Sequence, residues 1–230
     1  MPTPQNHLIE LLPGTDRRRL LKLADPVQLT LFDVLGEAGK ATRFVYFPVD
    51  GFISLVTSVE GKPVLEVGMV GREGMLGVQA VSGVLAQPLH ALVQGPGFAQ
   101  RIELGAFTQE MERGGALRRI LGRYLYVLMS QLASSAACIR FHPIDARLGR
   151  RLLMLHDRAH ADSFGVTHEL LAYMLGVRRV SITDAAGLMQ RNGLIEYHRG
   201  NVTVLDRKGL EAATCKCYGA DRQAYSRVMS

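Results

Sequence analysis

The chain contains no apolar run of about 18 residues, so no membrane-spanning helix is expected. It opens Met-Pro-Thr-Pro-Gln-Asn-His, without the charged-then-apolar order of a secretory signal, and cytoplasmic residence is the expectation. Cysteine is scarce: three in 230 residues, too few for a disulfide framework. Cys138 lies in an apolar, helical stretch and reads as a small buried residue. Cys215-Lys216-Cys217 allows a metal or redox role, but a lone C-x-C specifies neither. Catalytic signatures are missing too. Gly71-Arg72-Glu73-Gly74-Met75-Leu76-Gly77 is rich in glycine but lacks the Lys-Ser/Thr of a phosphate-binding loop, and no serine nucleophile elbow occurs. A barrel metal-oxygenase needs two or three converging histidines and a carboxylate, and only His90 of the seven histidines falls among the expected strands. His156 and His160 are spaced as a zinc pair on a helix, yet Asp157-Arg158-Ala159 separates them without a metalloprotease glutamate, so a solvated helix end is expected. No enzyme and no metal site are read from these residues.

What is present is a core and a basic balance. The hydrophobic fraction is 47%, ample for one large or two small domains, and the net charge is +6 with a pI near 9.5. From Phe141 onward there are 13 basic and 9 acidic residues, against 14 and 12 before it, so the excess leans toward the C-terminal part. A basic balance favours an acidic partner and, by itself, names none.

Along the chain, His7–Leu23 reads as helix broken at Pro13-Gly14. Period-two patterning follows in Val27–Leu31, Phe44–Phe47, Phe52–Val56, Val64–Val67 and Ala91–Gln94. These are separated at Gly36, Gly39, Asp50-Gly51, Glu60-Gly61-Lys62 and Gly95-Pro96-Gly97, as in a small antiparallel barrel or sandwich able to hold one small ligand. Gly105–Glu112 predicts a short helix and Ala116–Arg140 a long one. Leu117, Leu121, Leu125, Leu128 and Leu132 form a stripe on the long helix, flanked by Ile120, Tyr124 and Val127. An arc that wide has two sides to bury, one on the barrel and one on a second copy of the helix. Ser134 to Ala137 would permit close approach near its end. Phe141-His142-Pro143 breaks the helix, and Ile144–His160 is helical again with Leu148, Leu152 and Leu155 apolar.

The chemistry is concentrated in Val166–Ile195. Thr167 can cap a helix whose first turn holds Glu169, and Leu170, Leu171, Met174 and Leu175 form its apolar stripe. A turn at Leu175-Gly176-Val177 leads to a second helix with Ile182, Ala185, Ala186 and Met189 inward, stopped at Asn192-Gly193. Two short helices about a glycine turn make a helix-turn-helix, whose second helix can enter the DNA major groove. Arg178, Arg179, Val180, Thr183 and Asp184 would then face outward. Arginine pairs bidentately with guanine, Val and Thr methyls touch thymine, and Asp accepts from cytosine. Thr167 and Ser181 are placed for phosphates. Leu194–His198 and Val202–Leu205 about Arg199-Gly200-Asn201 predict a hairpin, a wing with Arg199 at its tip. The fold class is thus α+β: an N-terminal antiparallel β-roll or barrel (1–115), a dimerisation helix (116–140) and a winged helix-turn-helix (141–230) on double-stranded DNA.

That order resembles the Crp/Fnr family of bacterial transcription regulators over nearly the whole chain. The most specific segment is L-L-A-Y-M-L-G-V-R-R-V-S-I-T from Leu170 to Thr183, similar to the family's L-A-x-x-L-G-(V/C)-S-R-E-T-V. Tyr46-Phe47-Pro48, Gly51-Phe52-Ile53-Ser54-Leu55 and Gly71–Gly77 are similar as well. The resemblance implies a homodimer on a two-fold operator, DNA affinity set by a sensed signal, and a barrel surface that touches RNA polymerase. Arg178 and Val180 replace the family's Ser and Glu, which removes an N-cap and a cytosine acceptor, while Arg179 matches the family's arginine. Members that bind cyclic AMP carry a Gly-Glu motif, approximated here by Glu73, and an Arg-Ser or Arg-Thr pair for the phosphate. Gln87-Pro88-Leu89-His90-Ala91-Leu92 stands where that pair belongs, without arginine. The candidate effector pocket is therefore Arg72, Glu73, Gly74, Leu89 and His90, with Arg72 expected to pair with Glu73. Cyclic AMP, or haem held by His90 and Pro2, is the alternative to an unidentified effector. The N-terminal cysteine cluster of the family's iron–sulfur sensors is absent.

Overall fold

The computed structural model describes residues 5–58, 60, 64–159 and 161–230; Pro2, Gly61, Lys62 and His160 lie outside the described residues. The chain divides into two compact units. One comprises Met1–Val56, Gly68–Met129 and Tyr225–Ser230, the other Thr57–Val67 and Ser130–Ala224.

The first unit is built on two antiparallel sheets. Asn6 caps helix α1 (His7–Glu10) by accepting from the Leu8 amide. Its amide nitrogen is buried and donates to the carbonyls of Pro48 (2.9 Å) and Gly74 (2.7 Å), pinning the chain start to the sheet. Pro13 separates α1 from α2 (Gly14–Lys22), as expected. The strands are β1 (Ala24–Leu29), β2 (Val34–Gly36), β3 (Phe44–Pro48), β4 (Phe52–Thr57), β5 (Leu65–Val70), β6 (His90–Gly95) and β7 (Gly97–Glu103). One sheet has the order β1-β7-β3 and the other β2-β6-β4-β5. Register places Val27 opposite Ala99, Tyr46 opposite Arg101, and Ile53 opposite Val93. A 3-10 turn, Val78–Ser82, precedes β6. Phe47 packs on Phe107 of α3 (Leu104–Arg113) with ring centroids 6.1 Å apart, and Val45, Ile53, Met75, Val93 and Ile102 are buried in the same unit.

Two of these strands, β2 and β7, are not expected from the sequence. β7 was not anticipated because only Ala99 and Ile102 along it are buried, so it shows no alternation; its place between β1 and β3 makes it a strand. Gly36, expected as a separator, closes β2.

Helix α4 runs Gly115–Phe141 and stops where Pro143 follows, as the sequence predicts. Its buried side is Leu117, Ile120, Leu121, Tyr124, Val127 and Leu128, so the aromatic and the β-branched residue displace Leu125 and Leu132 to half-buried positions. The opposite side exposes Gly122, Tyr126, Met129, Ala133, Ala136 and Arg140, which alternate steps of four and three. Tyr126 is 58% and Met129 63% accessible, large values for apolar groups on a long helix.

The second unit holds α5 (Ile144–Ala159), β8 (Ser163–Gly165), α6 (His168–Leu175), α7 (Arg179–Arg191), β9 (Ile195–His198), β10 (Asn201–Val204) and α8 (Arg207–Ala213). Leu148, Leu152 and Leu153 of α5 lie under α6 and α7, buried with Leu171, Met174, Ile182 and Met189. Residues beyond the wing, which the sequence left as a tail, are α8 and α9 (Cys217–Met229). Arg207 fastens α8 by pairing with Asp157 (2.7 Å) and Glu211 (3.1 Å), and the Tyr218 hydroxyl donates to Asp157 (2.9 Å). Arg151 and Glu66 form a buried ion pair inside this unit. No helix among the described residues is long and apolar enough to cross a membrane.

Candidate nucleic-acid interface

The interface is assembled by two helix ends of the same design. α6 closes with Gly176 at φ 63°, ψ 39°, where the amides of Gly176 and Val177 bond back to the carbonyls of Tyr173 and Ala172. α7 closes with Gly193 at φ 68°, where the amides of Gly193 and Leu194 bond back to Gln190 and Met189. Each is a Schellman motif, which needs a residue in the left-handed region and finds glycine there. The first fixes the angle between the helices; the second sends the chain into the wing.

Thr167 caps α6 by accepting from the Leu170 amide at 3.1 Å, so its hydroxyl proton is left to donate outward. Arg178 occupies the cap position of α7 and supplies no side-chain cap bond, as its replacement of a serine-type residue implies. Ile182, Ala185, Ala186 and Met189 are buried, while Arg178, Arg179, Val180, Thr183 and Asp184 are exposed and Ser181 is half-buried. Among the described residues, Arg178, Arg179 and Arg199 enter no ion pair, so their guanidinium groups face solvent with donors unspent.

His168 and Tyr197 are features the sequence reading missed. His168 begins α6, stacks on Tyr197 with ring centroids 4.1 Å apart, and receives a backbone role too: its amide donates to the Tyr197 hydroxyl at 3.1 Å. The Thr183 hydroxyl donates to the Arg179 carbonyl (3.2 Å), so the His168 Nδ1 at 3.1 Å must be the donor to Thr183. Its Nε2 is then a bare acceptor, buried without a partner among the described residues. Burial, with the charge of Arg179 added, lowers the His168 pKa and holds the ring neutral. A polar residue directly after a capping threonine was the available signal. The consequence is that Thr183 is tied to the turn, and only part of its surface remains for a ligand.

The wing is tighter than expected. Asn201 pairs with His198 inside the ladder, so the turn is Arg199-Gly200 alone rather than Arg199-Gly200-Asn201. Both turn residues have positive φ (47° and 84°), the two-residue turn whose twist matches a hairpin. Arg199 is exposed at its tip. The wing also gains a third strand, with Phe164 of β8 opposite Val202 of β10.

The candidate effector residues do not assemble as expected. Arg72 bonds not Glu73 but the Glu10 carboxylate (2.6 Å) and the Gln5 carbonyl (2.6 Å), because α1 brings an acceptor to it. The Glu73 carboxylate accepts from the Gly71 amide (3.1 Å), and the Glu73 carbonyl accepts from the Tyr225 hydroxyl (2.8 Å). Gly74 is packed so closely that an added Cβ would lie 2.1 Å from the Tyr124 hydroxyl oxygen. A cavity of about 210 Å³ opens elsewhere in the same unit, lined by Val34, Lys40, Arg43, Tyr46 and Gln87 among others. None of Arg72, Glu73, Gly74, Leu89 and His90 lines it. Leu89 and His90 are half-buried where β6 begins.

Comparison with known proteins places this geometry. Residues 146–213 match the Crp-like helix-turn-helix domain. The whole-chain fold is similar to FixK2 from Bradyrhizobium japonicum, with a TM-score of 0.72 at 11% identity over 84% of this chain and 98% of that one. It is similar to a Crp/Fnr-family transcriptional regulator from Eubacterium rectale, with a TM-score of 0.69 at 16% identity over 91% and 99%. The c-di-GMP-responsive global regulator CLP from Xanthomonas campestris gives 0.68 at 15% identity over 84% and 99%. No curated protein matches the sequence. At these identities the solved structures show the fold, and the domain match shows the type of the DNA-binding unit.

Proposed function

From a Crp-like helix-turn-helix carried on a Crp/Fnr fold, we propose a homodimeric, sequence-specific, DNA-binding transcription regulator of the cytoplasm. α7 enters the major groove with Arg179 toward guanine, and Arg178, Val180, Thr183 and Asp184 flank it. Thr167, Ser181 and Arg199 hold phosphates and set the register. The observation that carries this reading is the division of α7 into a buried row and an exposed row whose arginines enter no ion pair among the described residues.

The exposed row Gly122-Tyr126-Met129-Ala133-Ala136-Arg140 supports the second half of the proposal. Steps of four and three along a helix make the seam of a two-stranded coiled coil, and small residues in it permit close approach. Two copies joined there would present two α7 helices to a two-fold operator. A surface of the first unit that touches RNA polymerase is part of the same reading.

The effector is not cyclic AMP bound in the usual way. Arg72 is held by Glu10 and Gln5, no arginine stands in Gln87–Leu92, and a buried phosphate without a cationic partner is costly. The test is selection of fragmented genomic DNA by the full-length protein at fixed near-physiological salt, with and without cyclic AMP. Enrichment of one palindromic site in both conditions is expected. Enrichment of no site would overturn the proposal, and enrichment only with cyclic AMP would overturn its effector statement.

A further inference from the structure

Four metal-ligating side chains meet where α4 ends. Cys138 and His142 stand one helical turn apart there, while Cys215 precedes α9 and Cys217 begins it. One ligand atom from each, taken together, lies within 4.8 Å of all the others. The Cys138 and Cys215 sulfurs are 3.6 Å apart, and the Cys217 sulfur is 3.7 Å from His142 Nδ1. A tetrahedral zinc with bonds of about 2.3 Å to sulfur and about 2.0 Å to nitrogen has edges of roughly 3.8 and 3.5 Å. Two of the cluster's edges already have about those lengths, and none exceeds 4.8 Å. Neither half of it is a signal by itself: the C-x-C was legible in the sequence, but 73 residues separate it from His142.

We propose that Cys138, His142, Cys215 and Cys217 bind a zinc-class divalent cation as a closed structural site. Three sulfurs and one imidazole select a borderline-soft ion over magnesium or calcium, and four protein ligands leave no open position for chemistry. Three thiolates around a divalent ion carry a net negative charge, and Arg150 and Arg147 supply cations beside Cys138. Arg150 is itself oriented by Asp221 (2.6 Å) and Ser135 (3.3 Å), the kind of outer support that fixes metal ligands. Thiols bind such an ion as thiolates, so binding releases protons and strengthens as pH rises. The bound ion would join the end of α4 to the segment after the wing, holding the helix-turn-helix unit to that helix end. This inference does not depend on α7 reading DNA.

The test uses the full-length reduced protein with zinc and cobalt as probes. One metal per chain is expected, removable by chelator, with cobalt showing tetrahedral visible bands and a thiolate charge-transfer band. Cys217→Ser and His142→Gln should each weaken cobalt binding by roughly 10–100-fold or more, since even outer-shell losses cost that much. Zinc should also shield all three thiols of the unmodified protein from a thiol reagent, a readout that holds if a variant fails to fold. Absence of thiolate–cobalt bands, equal thiol reactivity with and without zinc, or unchanged binding in folded variants would each overturn the proposal. So would a Cys138–Cys215 disulfide formed on oxidation by a reduced protein with no metal affinity.

Discussion

The two faces of α7 separate stability from recognition, and one pair of substitutions tests that separation. Ile182 is fully buried and Val180, two residues earlier, is 56% accessible. Ile182→Ala removes three buried carbons at about 0.8 kcal/mol each and leaves a cavity, so a loss of about 3 kcal/mol in unfolding free energy is expected. Arg179→Ala removes an exposed side chain with no ion-pair partner, and its stability change should stay within about 0.5 kcal/mol. Its effect belongs to binding: about 1–3 kcal/mol, or roughly 5- to 150-fold in affinity, with relaxed preference at one base pair. Urea unfolding followed by far-ultraviolet circular dichroism reads the first quantity. Fluorescence anisotropy on the selected operator at several salt concentrations reads the second. A base contact leaves the salt slope almost unchanged, whereas a phosphate contact lowers it by about one. Two results would refute the reasoning: Arg179→Ala binding the operator as the parent does, or Ile182→Ala unfolding at the parent's urea midpoint.

Three further outcomes are expected. Met129→Glu, which places a charge in the exposed row of α4, should convert the proposed dimer to a monomer by sedimentation velocity with little change in helix content; an unchanged dimer would move the interface elsewhere. Gly193→Ala puts a Cβ into open space at φ 68°, so only backbone strain acts, and a loss of about 1–2 kcal/mol in urea is expected; an unchanged midpoint would contradict the Schellman assignment. His168 is held neutral in the fold, so the unfolded chain binds its proton more readily. The stability this residue contributes is complete above its unfolded pKa of about 6.5 and falls as pH drops through the lowered folded value. His168→Gln should flatten that part of the pH–stability curve, and an identical curve would assign the acid sensitivity to another group.

The recognition unit was legible because its determinants are local. Thr167, Gly176, Gly193 and the spacing of Ile182, Ala185 and Met189 each act within one or two turns of chain, where sequence distance equals spatial distance. The break at Pro143 and the separation at Pro13 are local for the same reason. β7 was not legible, because its strand character comes from pairing with β1, 68 to 78 residues away, and with β3, 51 to 59 residues away. The pairing expected of Arg72 was not legible for a related reason. Arg72 was read with its neighbour Glu73, while the fold brings Glu10, 62 positions away, to its guanidinium. Charge pairing is decided by proximity in space, and neighbours in a chain at a turn need not face one another.

By itself, then, the sequence determined the helix ends, the glycine turns, the inward row of α7 and the basic outward row, since each follows from backbone geometry and 3.6-residue periodicity. Only the tertiary structure decided which strand lies between β1 and β3, what Arg72 bonds, and that Cys138 and His142 meet Cys215 and Cys217. Those outcomes depend on contacts between residues tens of positions apart, which the packing of the core selects and no local pattern encodes.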